Sequence, residues 1–401
     1  MNSDDHITRA LHQQADQIQT GPLTMSDIKG KARSIQRRRT LATVAGAAAV
    51  VAIIAPVGII AMNNGDKKAE PPIATNSGTP TPTTPTETPA PGTVDLVVAG
   101  APDGSAPLVP WLTGRTLHSS GDQTFGLGHV YRDVVAWHGG WLAIDGQTDE
   151  IAGDGSIVRS FDGGYRFAVG VDGTELTWFE YGDAVPGKLV TGIPSGMGEG
   201  TQSVDVPANS SVDPIGYVSG GTVVFNQTDA NGDSSAWVTD FQGAPQRLNH
   251  VIKAGGTSET TGVVSVETSI SDDGSCWEVR NLDAGSKVAE TCDYSLGQFS
   301  ADGKYVIGWP AYADGLGPRQ VAILDATTLK PVVSYMAPAS TAGWVSNAVF
   351  DGDSPQVIAV VFEDNAWHLT RLGLDGSIEN VADPVASSDE TQPELWLVSR
   401  P

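Results

Sequence analysis

The sequence predicts an all-β body that follows one membrane-spanning helix. Gly contributes 47 of the 401 residues, and ten Trp are present. After residue 70 no long amphipathic helical pattern occurs, and from about residue 93 short β-rich runs alternate with Gly, Asp and Asn turns. Frequent turns, aromatic residues and a short period are typical of antiparallel sheets.

Residues 41–62 form an uncharged run of 22 residues, and a spanning helix needs about 20. Arg37, Arg38 and Arg39 directly precede this run, which predicts a cytoplasmic amino terminus. A cleaved signal peptide is one alternative, but its apolar region is usually 7–15 residues long and precedes a small-x-small site that residues 60–63 do not provide well. A buried soluble helix is the other alternative. We expect an uncleaved anchor.

The sign of the net charge differs on the two sides of this span. Residues 1–40 carry seven Lys and Arg against four Asp, whereas residues 63–401 carry 16 Lys and Arg against 43 Asp and Glu. So acidic a body repels phosphates, which argues against binding of nucleic acid or anionic lipid. The sequence therefore predicts a cytoplasmic basic head (1–40), a transmembrane helix (41–62) and an extracytoplasmic remainder.

Residues 63–92 are predicted to form a spacer. The Thr/Pro run at 79–91 cannot pack a core and favours extended polyproline geometry. We expect this spacer to hold the body, residues 93–401, away from the bilayer.

An internal repeat organises the body. Its copies are strands that a turn follows, and they begin at Trp141, Trp178, Trp237, Trp277, Val321 and Trp367. The starts lie 37, 59, 40, 44 and 46 residues apart. Four short strands per repeat of about 40–45 residues are typical of a propeller blade.

Six copies predict six blades. The last β-like run, residues 394–399, is expected to pair with an early strand near residues 94–98 or 116–119 and so remove an open sheet edge. If the 93–130 region forms a full sheet with that run, the count becomes seven.

Residues 299–305, Phe-Ser-Ala-Asp-Gly-Lys-Tyr, resemble the F-S-P-D-G-K/R signature of TolB-like and WD-repeat propellers. Residues 271–275 and 161–165 are weaker copies of it. The resemblance covers about residues 110–401 and implies a β-propeller in which Asp-Gly closes the turn between the first two strands of a blade. The order of head, span, stalk and propeller is similar to that of single-pass envelope proteins of actinobacteria.

Cys276 and Cys292 flank the turn at residues 283–286. A hairpin centred on residue 284 places them opposite each other, where their Cβ atoms approach disulfide spacing. Two cysteines on an oxidising side of the membrane favour a disulfide. Free buried thiols and a metal or redox site are the alternatives.

Asp229, Asn231, Asp233 and Asp240 occupy positions 1, 3, 5 and 12 of a calcium-loop pattern. Such a loop requires Gly at position 6, but Gly232 is at position 4. We therefore expect a hairpin turn with solvated carboxylates, with calcium binding as the alternative.

No motif predicts catalysis. The seven histidines (His6, His12, His118, His129, His138, His250 and His368) form no H-E-x-x-H pattern, and no G-x-S-x-G elbow occurs. The glycines of residues 195–200 lack the strand-to-helix setting of a phosphate loop. No catalytic residue, cofactor or metal is expected.

Residues 186–214 lengthen one repeat interval to 59 residues. Long loops on a rigid scaffold often carry binding residues, so this segment is either a binding loop or a passive insertion.

The sequence thus predicts a membrane-anchored extracytoplasmic β-propeller that binds an envelope protein, peptide or glycan without catalysis. A propeller-type hydrolase or lyase with its site in the central channel is one alternative. A sensor is the other, in which the apolar stripe Ile7, Leu11, Ala15 and Ile18 docks a cytoplasmic regulator.

Overall fold

A computed structural model describes residues 92–119, 123–131, 133–137, 139–145, 148–161, 166–170, 173, 175–180, 187–192, 201–207, 210–313, 317–339 and 343–397. The predicted head and span, and all of the predicted spacer except Gly92, lie outside these ranges. Within them, no helix is long and apolar enough to cross a membrane.

The described strands are numbered along the chain. The first are β1 (Gly92–Asp95), β2 (Trp111–Thr113), β3 (Thr116–Ser119) and β4 (Gln123–Gly126). Four sheets of four consecutive strands follow: β5 (Asp133–Trp137), β6 (Gly140–Ile144), β7 (Thr148–Ile151), β8 (Ile157–Phe161); β9 (Phe167–Val169), β10 (Leu176–Glu180), β11 (Lys188–Gly192), β12 (Gln202–Asp205); β13 (Ser211–Val218), β14 (Thr222–Thr228), β15 (Ser234–Thr239), β16 (Gln246–Arg247); β17 (Lys253–Ser258), β18 (Val263–Ser271), β19 (Gly274–Asn281) and β20 (Ser286–Thr291). A single 3-10 turn at Ser219–Gly221 joins β13 to β14.

The remaining strands form two further sheets and one closing strand. They are β21 (Tyr294–Phe299), β22 (Tyr305–Pro310), β23 (Gln320–Asp325), β24 (Pro331–Met336); β25 (Trp344–Phe350), β26 (Val357–Glu363), β27 (Ala366–Leu372), β28 (Ile378–Asn380), β29 (Val385–Ala386); and β30 (Leu395–Leu397). β30 pairs antiparallel with β2, so the sheet order of the first blade is β30-β2-β3-β4.

The described residues therefore form seven sheets, which are the seven blades of a β-propeller. Blade 1 is β30-β2-β3-β4, and blades 2 to 7 begin at β5, β9, β13, β17, β21 and β25. The innermost strands contact one another in a closed ring, in which β30 lies between β25 and β5. The predicted propeller is confirmed, and the preferred count of six is wrong, because residues 111–126 and the carboxyl-terminal strand together complete a seventh sheet.

The six repeat copies fall one in each of blades 2 to 7, but on two kinds of strand, and none begins in blade 1. Trp141 and Trp178 lie in the second strands of their blades, whereas Trp237, Trp277 and Trp367 lie in the third. The 59-residue interval therefore contains one blade and one extra strand. Measured between first strands, which begin at residues 133, 167, 211, 253, 294 and 344, successive blades start 34, 44, 42, 41 and 50 residues apart.

Apolar side chains seal neighbouring blades, and β26 shows how. Its seven residues are all buried. Val357, Ala359 and Val361 face the core shared with blade 6, and the alternate residues Ile358 and Val360 face the core shared with blade 1. Because both faces are covered, the strand is a continuous apolar run rather than an alternating one.

An amino-terminal strap, residues 92–109, crosses the outer strands of blades 6 and 7 before the chain enters blade 1. Its strand β1 adds to β24 in parallel, with Thr93 opposite Ser334. Further along, the strap forms a bridge between Asp103 and Asn380 on blade 7. The strap is therefore bound to blades 6 and 7 before the chain begins blade 1.

Candidate functional site

A gap in the outermost strand of blade 7 opens a groove toward blade 1. β28 pairs with Thr370–Leu372 of β27, and β29 pairs with residues 366 and 367 at the other end of the same strand. Residues 382–384 connect β28 to β29 and form no strand pairs with β27. Pro384 has no N–H to donate, so it suits a break in pairing.

One face of blade 1 forms the opposite wall. Trp111 lies opposite His118 and Thr113 lies opposite Thr116 across the β2–β3 pair, so these four side chains share a face. Leu112 and its neighbours on the alternate face pack into the core shared with blade 2. The face toward blade 7 is therefore aromatic and polar where blade faces are usually apolar.

The resulting closure groove has a volume of about 510 Å³. This lies within the range of about 300–1,000 Å³ that is usual for ligand pockets. Three strands of blade 1, the break between β28 and β29 in blade 7 and the strap line it: Trp111, Thr113, Thr116, His118, Ser119 and Gln123 on the blade 1 side, Val381, Ala382, Asp383, Pro384 and Val385 on the blade 7 side, and Ala106 of the strap.

Trp111 and His118 form a fixed aromatic pair. Their rings are parallel to within 3°, with centroids 3.6 Å apart. His118 Nε2 also lies 3.1 Å from the Thr113 hydroxyl, which holds the imidazole in the plane of the stack. Burial lowers the pKa of His118, so the ring is neutral at neutral pH. The pair therefore presents a rigid, uncharged surface to the groove.

The strap end of the groove is held by Arg371, which is buried. Its guanidinium donates hydrogen bonds to the carbonyl of Ala106 and to the hydroxyl of Ser105, each at 3.2 Å. It also forms an ion pair with Asp351, with Nη2 and Oδ2 3.0 Å apart. The groove thus has walls on strands and an end fixed by a buried charge pair, which suits a binding site that needs little reorganisation.

A second cavity offers much less room. At the ends of the innermost strands of blades 3 to 6, a cavity of about 40 Å³ is lined by Val169, Tyr217, residues 257–260 and residues 298–301. This is space for a few water molecules rather than a substrate. The hydroxyl of Tyr217 contacts those of Thr177 and Thr191 at 2.7 and 3.2 Å, so it belongs to a buried network.

Glycines let neighbouring innermost strands approach each other closely. A Cβ on Gly256 would lie 2.4 Å from the carbonyl oxygen of Gly297 on the next blade, and one on Gly216 would lie 2.1 Å from Thr257 Oγ1. Pairing shifts register in the middle of β13, β17, β21 and β25, which bends each of these strands. Among the described residues, no group of three or more His, Cys, Asp and Glu side chains converges.

The calcium pattern is divided by a strand. Asp229 Oδ1 accepts hydrogen bonds from the backbone N–H groups of Asn231 and Asp233, at 2.8 and 3.0 Å, within the β14–β15 turn. Asp240 follows β15 at its other end, where it caps the N–H of Gln242. Six strand residues separate the two ends by about 20 Å, so the structure brings together three of the four residues and leaves Asp240 apart.

Cys276 and Cys292 are joined by a disulfide in blade 5, with Cα atoms 4.1 Å apart. In the β19–β20 hairpin Trp277 lies opposite Thr291, which continues the pairing that the sequence predicts. The bond ties the two outer strands of this blade together.

The motif at residues 299–305 lies at the turn between β21 and β22, the first two strands of blade 6. Ser300 Oγ donates to Asp302 Oδ1 at 2.7 Å and accepts from the backbone N–H of Tyr305 at 3.0 Å. Gly303 has φ +70°, as the predicted Asp-Gly turn requires. The predicted role of this motif is confirmed, and that role is structural.

Residues 186–214 are mostly strands of two successive blades rather than one long loop, in the parts that the structure describes. They contain β11, β12 and the beginning of β13. Residues 195–200 lie outside the described residues. The proposed binding loop therefore reduces to the connection between β11 and β12.

The sequence contains a signal for one wall of the groove that the repeat pattern does not reveal. In the hairpin around residues 114 and 115, Trp111 and His118 are equidistant from the turn, so a Trp and a His are predicted to face each other. No local pattern places residues 381–385 beside them, because that contact depends on ring closure.

His368 is a second buried imidazole. It lies on β27, and neither ring nitrogen has a hydrogen-bond partner among the described residues. Burial lowers its pKa, which keeps it uncharged. Its position between strands of blade 7 is that of a core residue.

No family model matches the chain, and no curated protein matches its sequence. Among solved structures it is similar to TolB from Acinetobacter baumannii, with 14% identity and a TM-score of 0.41 over 64% of this chain and 62% of that chain. The chain thus spans less than two thirds of the length of TolB.

Two further similar structures belong to peptidases. The β-propeller domain of the Trilobed protease from Pyrococcus furiosus has 10% identity and a TM-score of 0.46, over 63% of this chain and 84% of that chain. Pyrococcus horikoshii acylaminoacyl peptidase has 11% identity and a TM-score of 0.43, over 63% and 46%. At these TM-scores the similarities carry no argument about function; the seven-bladed β-propeller is established by the chain's own strand order.

Proposed function

We propose that this chain is a membrane-anchored, extracytoplasmic β-propeller that acts as a non-catalytic binding or scaffold module of the cell envelope. In this proposal the closure groove receives the ligand, which is a segment of an envelope protein, a peptide or a glycan. The observation that carries the proposal is the groove itself: about 510 Å³ of space with an aromatic pair and several hydroxyl groups on rigid strands.

The location rests on the uncharged run at residues 41–62 and the arginines before it. The Cys276–Cys292 disulfide supports an oxidising compartment for the propeller. The strap supports a scaffold role, because the segment that follows the predicted spacer is bound to blades 6 and 7 before it reaches blade 1.

Topology can be measured with single new cysteines at Ser3, in the predicted head, and at Ser388, on the propeller. A membrane-impermeant maleimide on whole cells should label S388C and should label S3C only after the cells are opened. Labelling of S3C on intact cells would overturn the proposed orientation.

Ligand capture can be measured by photo-crosslinking in native membranes. A benzoylphenylalanine replaces Gln123 or Ala382, on the two walls of the groove, and Asn231 in the exposed blade 4 turn is the control. The proposal predicts a reproducible adduct from both groove positions that the control lacks. Equal adduct patterns from all three positions, or none from the groove, would overturn it.

A further inference from the structure

We infer that the ligand of the closure groove is a short, uncharged saccharide. This inference rests on the proposed function of the groove and adds the chemical class of its ligand. Three properties of the lining support it: the density of hydroxyl and amide groups, the aromatic pair, and the absence of cationic side chains.

The polar groups are side chains that both donate and accept hydrogen bonds. Thr113 and Thr116 lie on the face of blade 1 that forms the wall, and Ser119 and Gln123 line the groove where β3 ends and β4 begins. Each hydroxyl donates one hydrogen bond and accepts others, and the amide does both with separate atoms. A sugar hydroxyl has the same dual character, so a ring of such side chains matches a ligand that carries hydroxyls on several carbons.

The aromatic pair supplies the apolar contact that a pyranose needs. A sugar ring has one face of C–H groups that packs on an aromatic plane, and Trp111 is the largest flat side chain of the groove. Its partner His118 stacks in parallel at 3.6 Å and fixes the indole in place. A rigid aromatic group contributes contact area at little entropic cost.

Charge selects against acidic ligands. The described lining residues include no Lys or Arg, and Asp383 lies on the exposed rim. His118 is neutral, since burial lowers its pKa. The sequence carries a net charge of −24, so an anionic polymer is repelled at a distance as well as in the groove.

The blade 1 wall disfavours an extended peptide. An extended peptide commonly binds a sheet by adding a strand to a free edge, where main-chain hydrogen bonds give the affinity. Here the wall is the face of paired strands, with Trp111 opposite His118 and Thr113 opposite Thr116. On this wall the specific polar contacts therefore come from side chains, which suits a hydroxyl-rich ligand.

The inference can be tested by isothermal titration calorimetry on the full chain in nanodiscs. The neutral probes are maltose, cellobiose, mannobiose and N,N′-diacetylchitobiose; the comparison probes are digalacturonic acid and a Thr/Pro dodecapeptide. We expect at least one neutral disaccharide to bind and the comparison probes to give no heat. Failure of all four neutral disaccharides at 20 mM would overturn the inference.

Variants of the groove residues test whether the disaccharide binds in the closure groove. Thr116→Ala and Gln123→Ala should each weaken the disaccharide at least tenfold, and Trp111→Ala more, while the melting temperature of the first two stays near that of the wild type. Thr228→Ala, a matched change on blade 4, should leave affinity unchanged. Equal affinities in all variants would contradict binding of the disaccharide in the closure groove.

The crosslinking experiment separates the two proposals. If the groove yields adducts with an envelope protein and no disaccharide binds, the ligand class is wrong and the groove remains the binding site. If neither measurement gives a signal, both proposals fail.

Discussion

Arg371 and Asp351 form a buried ion pair in which Nε and Nη2 lie 3.1 and 3.0 Å from the same carboxylate oxygen. The other oxygen of Asp351 accepts the backbone N–H groups of Leu108 and Val109 in the strap. Asp351 occupies the position in blade 7 that Ser300 occupies in blade 6, since each N–H bonds the residue five positions later. At this turn position, Asp351 therefore anchors the strap to blade 7.

Replacing Arg371 with Met should strongly destabilise the propeller. The change leaves the carboxylate of Asp351 buried without its cation and removes hydrogen bonds to Ser105, Ala106 and Glu379. Breaking a buried pair from one side costs about 3–5 kcal/mol. Urea unfolding measures the loss. As a control, Arg166→Met breaks an exposed Arg–Asp pair, which should cost at most about 1 kcal/mol; equal losses in the two variants would contradict the anchoring role.

Glu363 holds the strap at a second point. Its Oε2 accepts the backbone N–H groups of Val98 and Ala99 at 2.7 and 2.8 Å. In Glu363→Ala, hydrogen exchange at these two amides should accelerate at least tenfold, and Glu363→Gln should change it less because an acceptor oxygen remains. The Leu108 amide, which Asp351 binds, is the internal reference. Equal acceleration at all strap amides would show that the strap detaches as a unit instead.

The ionised carboxylate of Asp302 contributes stability that is lost at acid pH. A hydrogen bond from Lys304, with help from Ser300, lowers the pKa of Asp302 to about 2. The unfolded chain has a value of about 3.9. Since the folded pKa is lower, the stabilisation is present above pH 4 and is lost as the pH falls toward 2. The carboxylate is largely exposed, so the effect is small.

The expected measurement is the difference in urea midpoint between wild type and Asp302→Asn. It should favour the wild type at pH 5 and shrink steadily by pH 2. A difference that stays constant over this interval would show that the carboxylate charge does not contribute.

The disulfide closes a loop of 16 residues, for which the chain-entropy relation gives about 3 kcal/mol. A Cys276→Ala/Cys292→Ala double variant should lose stability on that scale. Reductant should produce a similar loss in the wild type and none in the double variant. Free thiols in the untreated wild-type protein would contradict the bond outright.

Local patterns predicted the parts of the fold that depend on neighbouring residues. The Asp-Gly turn at residue 302 and the pairing of Cys276 with Cys292 both follow from a single hairpin. The blade count did not follow, because none of the six repeat copies begins in blade 1, whose strands come from residues 111–126 and from β30 near the carboxyl terminus. A blade assembled from two distant parts of the chain leaves no contiguous repeat in the sequence.

Long-range contacts could not be predicted in this way. The parallel pairing of β1 with β24 joins residues about 240 positions apart, with Gly92 opposite Val333. The closure groove combines a hairpin near residue 115 with a strand break near Pro384, and only ring closure brings them together. Polar residues on the blade 1 face carry the local signal, but their partner wall comes from the other end of the chain.

Ring closure by the carboxyl-terminal strand is the central claim, and cysteine crosslinking tests it directly. Thr113 and Leu395 are antiparallel partners in blade 1, and opposed residues come close enough for a disulfide. Thr113→Cys/Leu395→Cys should crosslink on mild oxidation, whereas Thr113→Cys/Trp396→Cys should not, because adjacent strand residues face opposite sides. A folded Thr113→Cys/Leu395→Cys protein that keeps both new thiols free would contradict the closed seven-bladed ring.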